Sequence, residues 1–101
     1  MQVEDVFQHR GRFFHVLQRT ERSQTAVMTI APGAEAGPAE EHEGDQIIYV
    51  VEGEARVCVG DAEHHARAGS LMIIPARTRH HVRNSGSTPL FFLNVYTPPE
   101  Y

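Results

Sequence analysis

The chain of 101 residues is long enough for one domain with a modest core, and 41% of its residues are hydrophobic. Its formal charge of −4 at pH 7, without any run of basic residues, argues against nucleic-acid binding. No segment has the length of a membrane span or the pattern of a secretory signal, and Cys58 is the single cysteine. We therefore predict a cytoplasmic protein without an internal disulfide, whose domain extends over residues 1–101.

The elements predicted along the chain are strands. Each is short, rich in β-branched and aromatic residues, and bounded by glycine, proline or polar residues. In chain order they are Arg12–Gln18, Gln24–Gly33, Gln46–Val51, Glu54–Val59, Glu63–Ala68, Ser70–Pro75, His80–Asn84 and Pro89–Thr97. Because no window shows an amphipathic helix, this series predicts an all-β sandwich or barrel.

Turn signals suggest how some of these strands pair. Gly53 lies in a link so short that we expect the strands on either side of it to form a hairpin. We also expect the last two strands to pair across the polar turn 85–88. The segments Gln46–Val51 and Leu90–Tyr96 have apolar residues at both odd and even positions, which point to opposite faces of a strand. This indicates a sheet covered on both faces. A homodimer is one way to cover the outer face.

Coordinating side chains are concentrated just before the third predicted strand. Side chains alternate between the two faces of a strand, so Glu40, His42 and Gln46 share the face of Ile48 and Val50. If that apolar face lines the inside of a barrel, the three polar side chains lie near its mouth.

A second imidazole comes from a distant strand, where His80 shares a face with Val82, while His81 points to the opposite face. His81 takes the place of His80 if the register shifts by one residue. One carboxylate, two imidazoles and one amide oxygen suit a divalent Fe, Mn, Co, Ni or Zn ion. The alternative is a charged loop that leads into the third predicted strand, with His80 as a core histidine elsewhere in the fold.

The pattern resembles the two motifs of the cupin superfamily, and of short single-domain bacterial cupins in particular. The second motif, at about residues 69–84, keeps every spacing. Its positions are Gly69, Pro75, Arg77, His80 and Asn84. Arg77 stands where the family has a glycine. Asn84 is expected to form hydrogen bonds at the end of a strand and not to bind metal.

The first motif, at about residues 37–53, is more altered. Counting back from Gly53 puts Gln46 where the family has a glutamate. Glu40 and His42 then occupy the positions of two histidines. The resemblance implies a cupin double-stranded β-helix, a jelly-roll-like β-barrel with a divalent metal at its mouth. The metal ligands that it implies are Glu40, His42, Gln46 and His80.

The resemblance also implies chemistry on a small molecule, by a metal-dependent dioxygenase or by an isomerase or epimerase. The alternatives are a cupin that binds a small ligand without catalysis and a structural cupin with a degenerate metal site. The catalytic candidates are Tyr96, as an acid or hydrogen-bond donor, and Arg77, as a partner for an anionic group. Arg77 equally serves to offset the acidic residues near the mouth. Neither reaction nor substrate follows from the sequence.

Overall fold

The computed structural model describes residues 2–101, which form an all-β fold as predicted. A short 3-10 helix, Val6–His9, precedes eight strands. The strands are β1 Phe14–Arg19, β2 Gln24–Ile30, β3 Asp45–Glu52, β4 Glu54–Val59, β5 Ala62–Arg67, β6 Leu71–Ile74, β7 His80–Asn84 and β8 Leu90–Thr97. The described part of the chain holds no helix with the length and apolarity needed to cross a membrane.

The strands form two antiparallel sheets. The larger sheet has the order β1-β2-β8-β3-β6, and the smaller has the order β5-β4-β7. The segment between β2 and β3 runs beside β7, with bridges from Glu35 to Arg83 and from Glu40 to His80. Side chains from both sheets form one core, so the fold is the predicted double-stranded β-helix.

Two predicted strand pairings are wrong. β3 pairs with β6 and β8, whereas β4 pairs with β5 and β7, so the chain changes sheets at Gly53 instead of forming a hairpin. β7 and β8 also lie in different sheets. A short turn shows only that the chain reverses. Here the reversed strands lie in different sheets on either side of one core, because that arrangement buries the inward apolar side chains of both.

The core lies between the two sheets and follows the predicted alternation. In β3, Ile48 and Val50 are fully buried, whereas Tyr49 is 41% exposed on the outer face. The buried cluster consists of Met28, Ile30, Ile48, Val50, Ala55, Val57, Ala66, Ile74, Val82, Leu90 and Phe92. Burial of these side chains is the main force that holds the sheets together.

The interior becomes polar toward one end of the barrel. The register of the larger sheet aligns Gln24 with Tyr96, and Tyr96 with Gln46, in one inward-facing row. Asn94 lies in the next row, opposite Ile48. All of these polar side chains are buried, so this end of the fold can hold a site with directional polar contacts.

Candidate functional site

A cavity of about 340 Å³ opens at the polar end of the barrel. Small-molecule sites commonly have volumes of about 300–1,000 Å³, so this cavity suits a small ligand. Its polar lining includes Glu40, His42, Gln46, His80, Tyr96 and Tyr101, and its apolar lining includes Phe13, Phe14, Met28, Val82 and Phe92. No arginine is found among the described residues that line it.

His42 and His80 come from different parts of the chain and lie side by side, with ring centroids 5.0 Å apart. The carbonyl oxygen of Thr78 is 3.0 Å from His80 Nδ1, and Glu100 Oε1 is 2.9 Å from His42 Nδ1. A carbonyl or carboxylate oxygen accepts, so in both rings Nδ1 carries the hydrogen. An imidazole with this tautomer directs its Nε2 away from the protein acceptor, where a metal ion can bind it.

Gln46 contributes an amide oxygen that lacks a protein partner. Its Nε2 donates to Asn94 Oδ1 at 2.9 Å, whereas its Oε1 is buried without a hydrogen bond. An unsatisfied buried acceptor costs about 1–3 kcal/mol. A cation or a donor in the cavity would satisfy this oxygen, so the residues present fit a metal ion.

Glu40 is held beside His80 by the backbone. The two residues exchange N–H···O bonds of 3.0 and 2.9 Å, and directly opposed residues of an antiparallel pair project to the same face. The Glu40 side chain thus lies on the cavity side, but the residue is exposed.

Of the predicted ligand set, the structure brings His42, Gln46 and His80 into the cavity as buried residues, with Glu40 at the rim. Within residues 2–101 no three His, Cys, Asp or Glu side chains are grouped closely enough to hold a metal by themselves. Metal binding here would therefore depend on the Gln46 amide.

Two tyrosines form part of the wall around His42. The Tyr96 ring lies edge-on to the imidazole at 5.5 Å, and Tyr101 lies at 6.0 Å. Burial raises the pKa of the Tyr96 hydroxyl, and the negative charge of Glu40 adds to this effect. Tyr96 therefore remains protonated at neutral pH and can donate a hydrogen bond to a ligand.

Arg77 does not line the cavity. Its side chain is exposed, and its backbone N–H donates to the carbonyl oxygen of His42 at 2.7 Å. Its φ of 56° lies in the left-handed region, which glycine adopts without strain. This conformation explains why the corresponding motif position is a glycine in the family.

Asn84 and His81 form their polar contacts with other residues than His42, Gln46 and His80. Asn84 Nδ2 donates to the carbonyl oxygens of Ile30 and Thr88, and its Oδ1 accepts from the Gly86 N–H. Asn84 is thus a structural hydrogen-bonding residue, as the sequence predicts. His81 Nε2 lies 3.5 Å from Glu35, and the buried histidine of this strand is His80.

Glu100 and Tyr101 belong to the site but were not predicted from the sequence. Both follow the two prolines that end β8, and both reach back to His42. Nothing in the local pattern shows where this segment goes after the strand. Asn94 shares the inward face of β8 with Tyr96, as the alternation of the strand predicts, and it accepts from Gln46 Nε2.

Comparisons with known proteins agree with this architecture. The family model described as a cupin domain matches residues 26–96. A crystal structure of BH2720 from Bacillus halodurans is 31% identical, with a TM-score of 0.85 over 89% of this chain and 73% of that one. At this similarity the two chains share their fold.

Two curated proteins of Bacillus subtilis are also similar. The uncharacterized protein YrkC is 29% identical over 84 residues, which are 77% of this chain and 45% of YrkC. Oxalate decarboxylase OxdC is 30% identical over 82 residues, which are 76% of this chain and 21% of OxdC. The chain thus spans less than half of the length of either curated relative.

Proposed function

This chain belongs to the cupin family, and from that premise we propose that it binds a divalent metal ion and a small organic ligand together at the mouth of its barrel. His42, Gln46 and His80 would hold the metal, and Glu40, which lies at the rim, would join them as the fourth donor by turning its exposed side chain inward. The observation that carries this proposal is the unpartnered Gln46 Oε1, which shares a cavity with two histidines whose Nε2 atoms are free to coordinate.

The remaining lining residues determine what else the cavity accepts. When bound, a divalent metal supplies Lewis acidity toward oxygen atoms of a ligand. Phe14, Met28 and Phe92 provide an apolar wall that excludes water from the ligand, and the Tyr96 hydroxyl donates to a ligand oxygen. The preferred ligand is therefore a small molecule with an oxygen donor at one end and an apolar body.

Metal binding is tested with the chain freed of metal by chelation and then titrated calorimetrically with Mn, Fe(II), Co, Ni or Zn. We expect one site per chain. Because each donor contributes directly, His80→Ala and Gln46→Ala should each weaken binding by about tenfold or more. His64→Ala is the matched control, since His64 is exposed on β5, and it should bind like the unaltered chain.

The proposal fails if the unaltered chain binds no metal, or if His80→Ala and His64→Ala bind equally. Thermal unfolding of each variant serves as the control that distinguishes loss of metal binding from loss of the folded structure. A zero stoichiometry would favour the structural cupin with a degenerate site.

The similarity to an oxalate decarboxylase and the family's metal-dependent reactions make catalysis the first activity to test. We expect turnover of a small oxygen-bearing compound by the metal-loaded chain, of the dioxygenase or isomerase type. Oxygen uptake with Fe(II) restored distinguishes the first type from the second. Ligand binding without turnover would identify a non-catalytic binding protein.

A further inference from the structure

We propose that Glu100 is a positioning residue that fixes the His42 imidazole with its Nε2 lone pair directed at the cavity. Glu100 is outside both sequence motifs and lies beyond the last strand. The inference rests on the proposed metal site, but the state of the imidazole can be measured without any metal.

His42 needs such a partner more than the other donors do. Gln46 lies on β3 and His80 on β7, where the ladder hydrogen bonds fix the backbone. His42 lies in the irregular segment before β3, and its backbone carbonyl accepts one hydrogen bond, from Arg77. The orientation of its side chain therefore depends on contacts made by the ring.

The contact with Glu100 has the geometry for this role. Glu100 Oε1 lies 2.9 Å from His42 Nδ1, and the His42 side chain is only 5% exposed. A carboxylate that accepts from an imidazole favours the Nδ1–H tautomer and makes Nε2 more basic. Because the imidazole is shielded from water, this charge-assisted bond is stronger than it would be on the surface.

Glu100 is itself held in place by a buried amide. Gln24, which is 2% exposed, accepts backbone N–H bonds from Glu100 and Tyr101 at its Oε1 and donates from Nε2 to the backbone oxygen of Tyr101. Arg19 donates to the same oxygen at 2.9 Å. The Tyr101 ring packs 5.1 Å from Tyr96. The backbone of Glu100 and the residue that follows it are thus both held in place, and with them the carboxylate that contacts His42.

The first test measures the His42 tautomer by nitrogen-15 NMR in the metal-free chain, at a pH well above the ordinary imidazole pKa of about 6.5. We expect Nδ1–H in the unaltered chain and a mixed or Nε2–H state in Glu100→Ala. Glu100→Gln keeps an accepting oxygen and should retain most of the Nδ1–H form. Glu41→Ala removes an exposed carboxylate next to His42 in sequence and should change nothing.

The second test measures metal affinity in the same four proteins. Loss of a carboxylate behind a metal-bound histidine typically costs 10–100-fold in affinity, so we expect that loss in Glu100→Ala and a smaller one in Glu100→Gln. Glu41→Ala should bind like the unaltered chain. If Glu100→Ala fails to fold, the tautomer and the metal affinity of Glu100→Gln are compared with those of the unaltered chain instead.

These measurements separate the two proposals. If the unaltered chain binds no metal, but His42 loses its Nδ1–H form in the Glu100→Ala variant, the proposed function is overturned and the positioning role stays intact. An unaltered chain that binds metal, with the same tautomer and affinity in both Glu100 variants, would overturn the positioning role. An Nε2–H tautomer of His42 in the unaltered metal-free chain would also overturn it.

Discussion

Buried polar side chains in this barrel divide into those whose groups are satisfied by the protein and those that are not. Both polar atoms of the Asn84 amide and of the Gln24 amide have partners. Gln46 has a partner for its nitrogen but none for its oxygen. Asn94 accepts from Gln46 at its Oδ1 but has no partner for its Nδ2. Since buried polar groups are nearly always hydrogen-bonded, the satisfied amides stabilise the fold, and the unsatisfied Gln46 oxygen indicates a ligand because Gln46 lines the cavity.

We expect Asn84→Ala to destabilise the protein by about 2–4 kcal/mol, because it leaves the carbonyl of Ile30 and the N–H of Gly86 without their side-chain partner. Urea unfolding measures the change. Ser85→Ala, at an exposed neighbouring position, is the control and should stay within about 0.5 kcal/mol.

If Asn84 is purely structural, the Asn84→Ala variant should bind metal as tightly as the unaltered chain under conditions in which the variant is folded. A variant that is fully stable but binds metal poorly would instead make Asn84 part of the site.

At the scale of elements, the crossing between sheets at Gly53 is what places the two halves of the site opposite each other. β3 carries Gln46 in the larger sheet, and β7 carries His80 in the smaller sheet. A hairpin at Gly53 would have put β3 and β4 in the same sheet. Because the chain changes sheets there, the inward faces of both sheets contribute donors to one cavity.

The crossing is tight and depends on glycine. Gly53 has a φ of 91°, and a Cβ there would lie 2.6 Å from the Pro89 carbonyl oxygen. Gly60 has a φ of 58°, but a Cβ there would meet no atom within 4 Å, so this position isolates the conformational cost. We expect Gly53→Ala to cost about 1–3 kcal/mol more than Gly60→Ala in urea unfolding, because only the first adds a steric clash. Equal costs would show that the crossing relaxes freely.

At the scale of the whole molecule, one outer face remains apolar. Leu71 and Ile73 on the edge strand β6 are 70% and 60% exposed, and their cross-strand neighbours are Tyr49 and Ile47. An exposed apolar face on an edge strand favours association. This is the kind of outer face that the predicted homodimer would cover.

We expect the unaltered chain to sediment as a dimer at micromolar concentration and Ile73→Arg to sediment as a monomer, since a charge in the buried interface is costly. Val3→Arg places the same charge at an apolar residue that is 95% exposed and lies outside the sheets. It should leave the dimer unchanged. A monomeric unaltered chain would contradict the predicted homodimer.

The strands and the direction of their side chains could be predicted from the sequence to a large extent. Alternation along a strand is a local property of the backbone, so the inward faces of Gln46 and His80 followed from the apolar residues two positions away. The second motif placed Arg77 where the family has a glycine, but only the structure shows the left-handed φ that explains that glycine.

The sequence by itself therefore determined the all-β class, the strand positions and the inward direction of the polar side chains that line the cavity. Only the tertiary structure decided which strands pair, that Glu40 stays at the rim, and that Glu100 returns to His42. These features depend on contacts between residues far apart in the chain. A local reversal is compatible with either lateral pairing or packing across the core, and burial of the whole molecule selects between them.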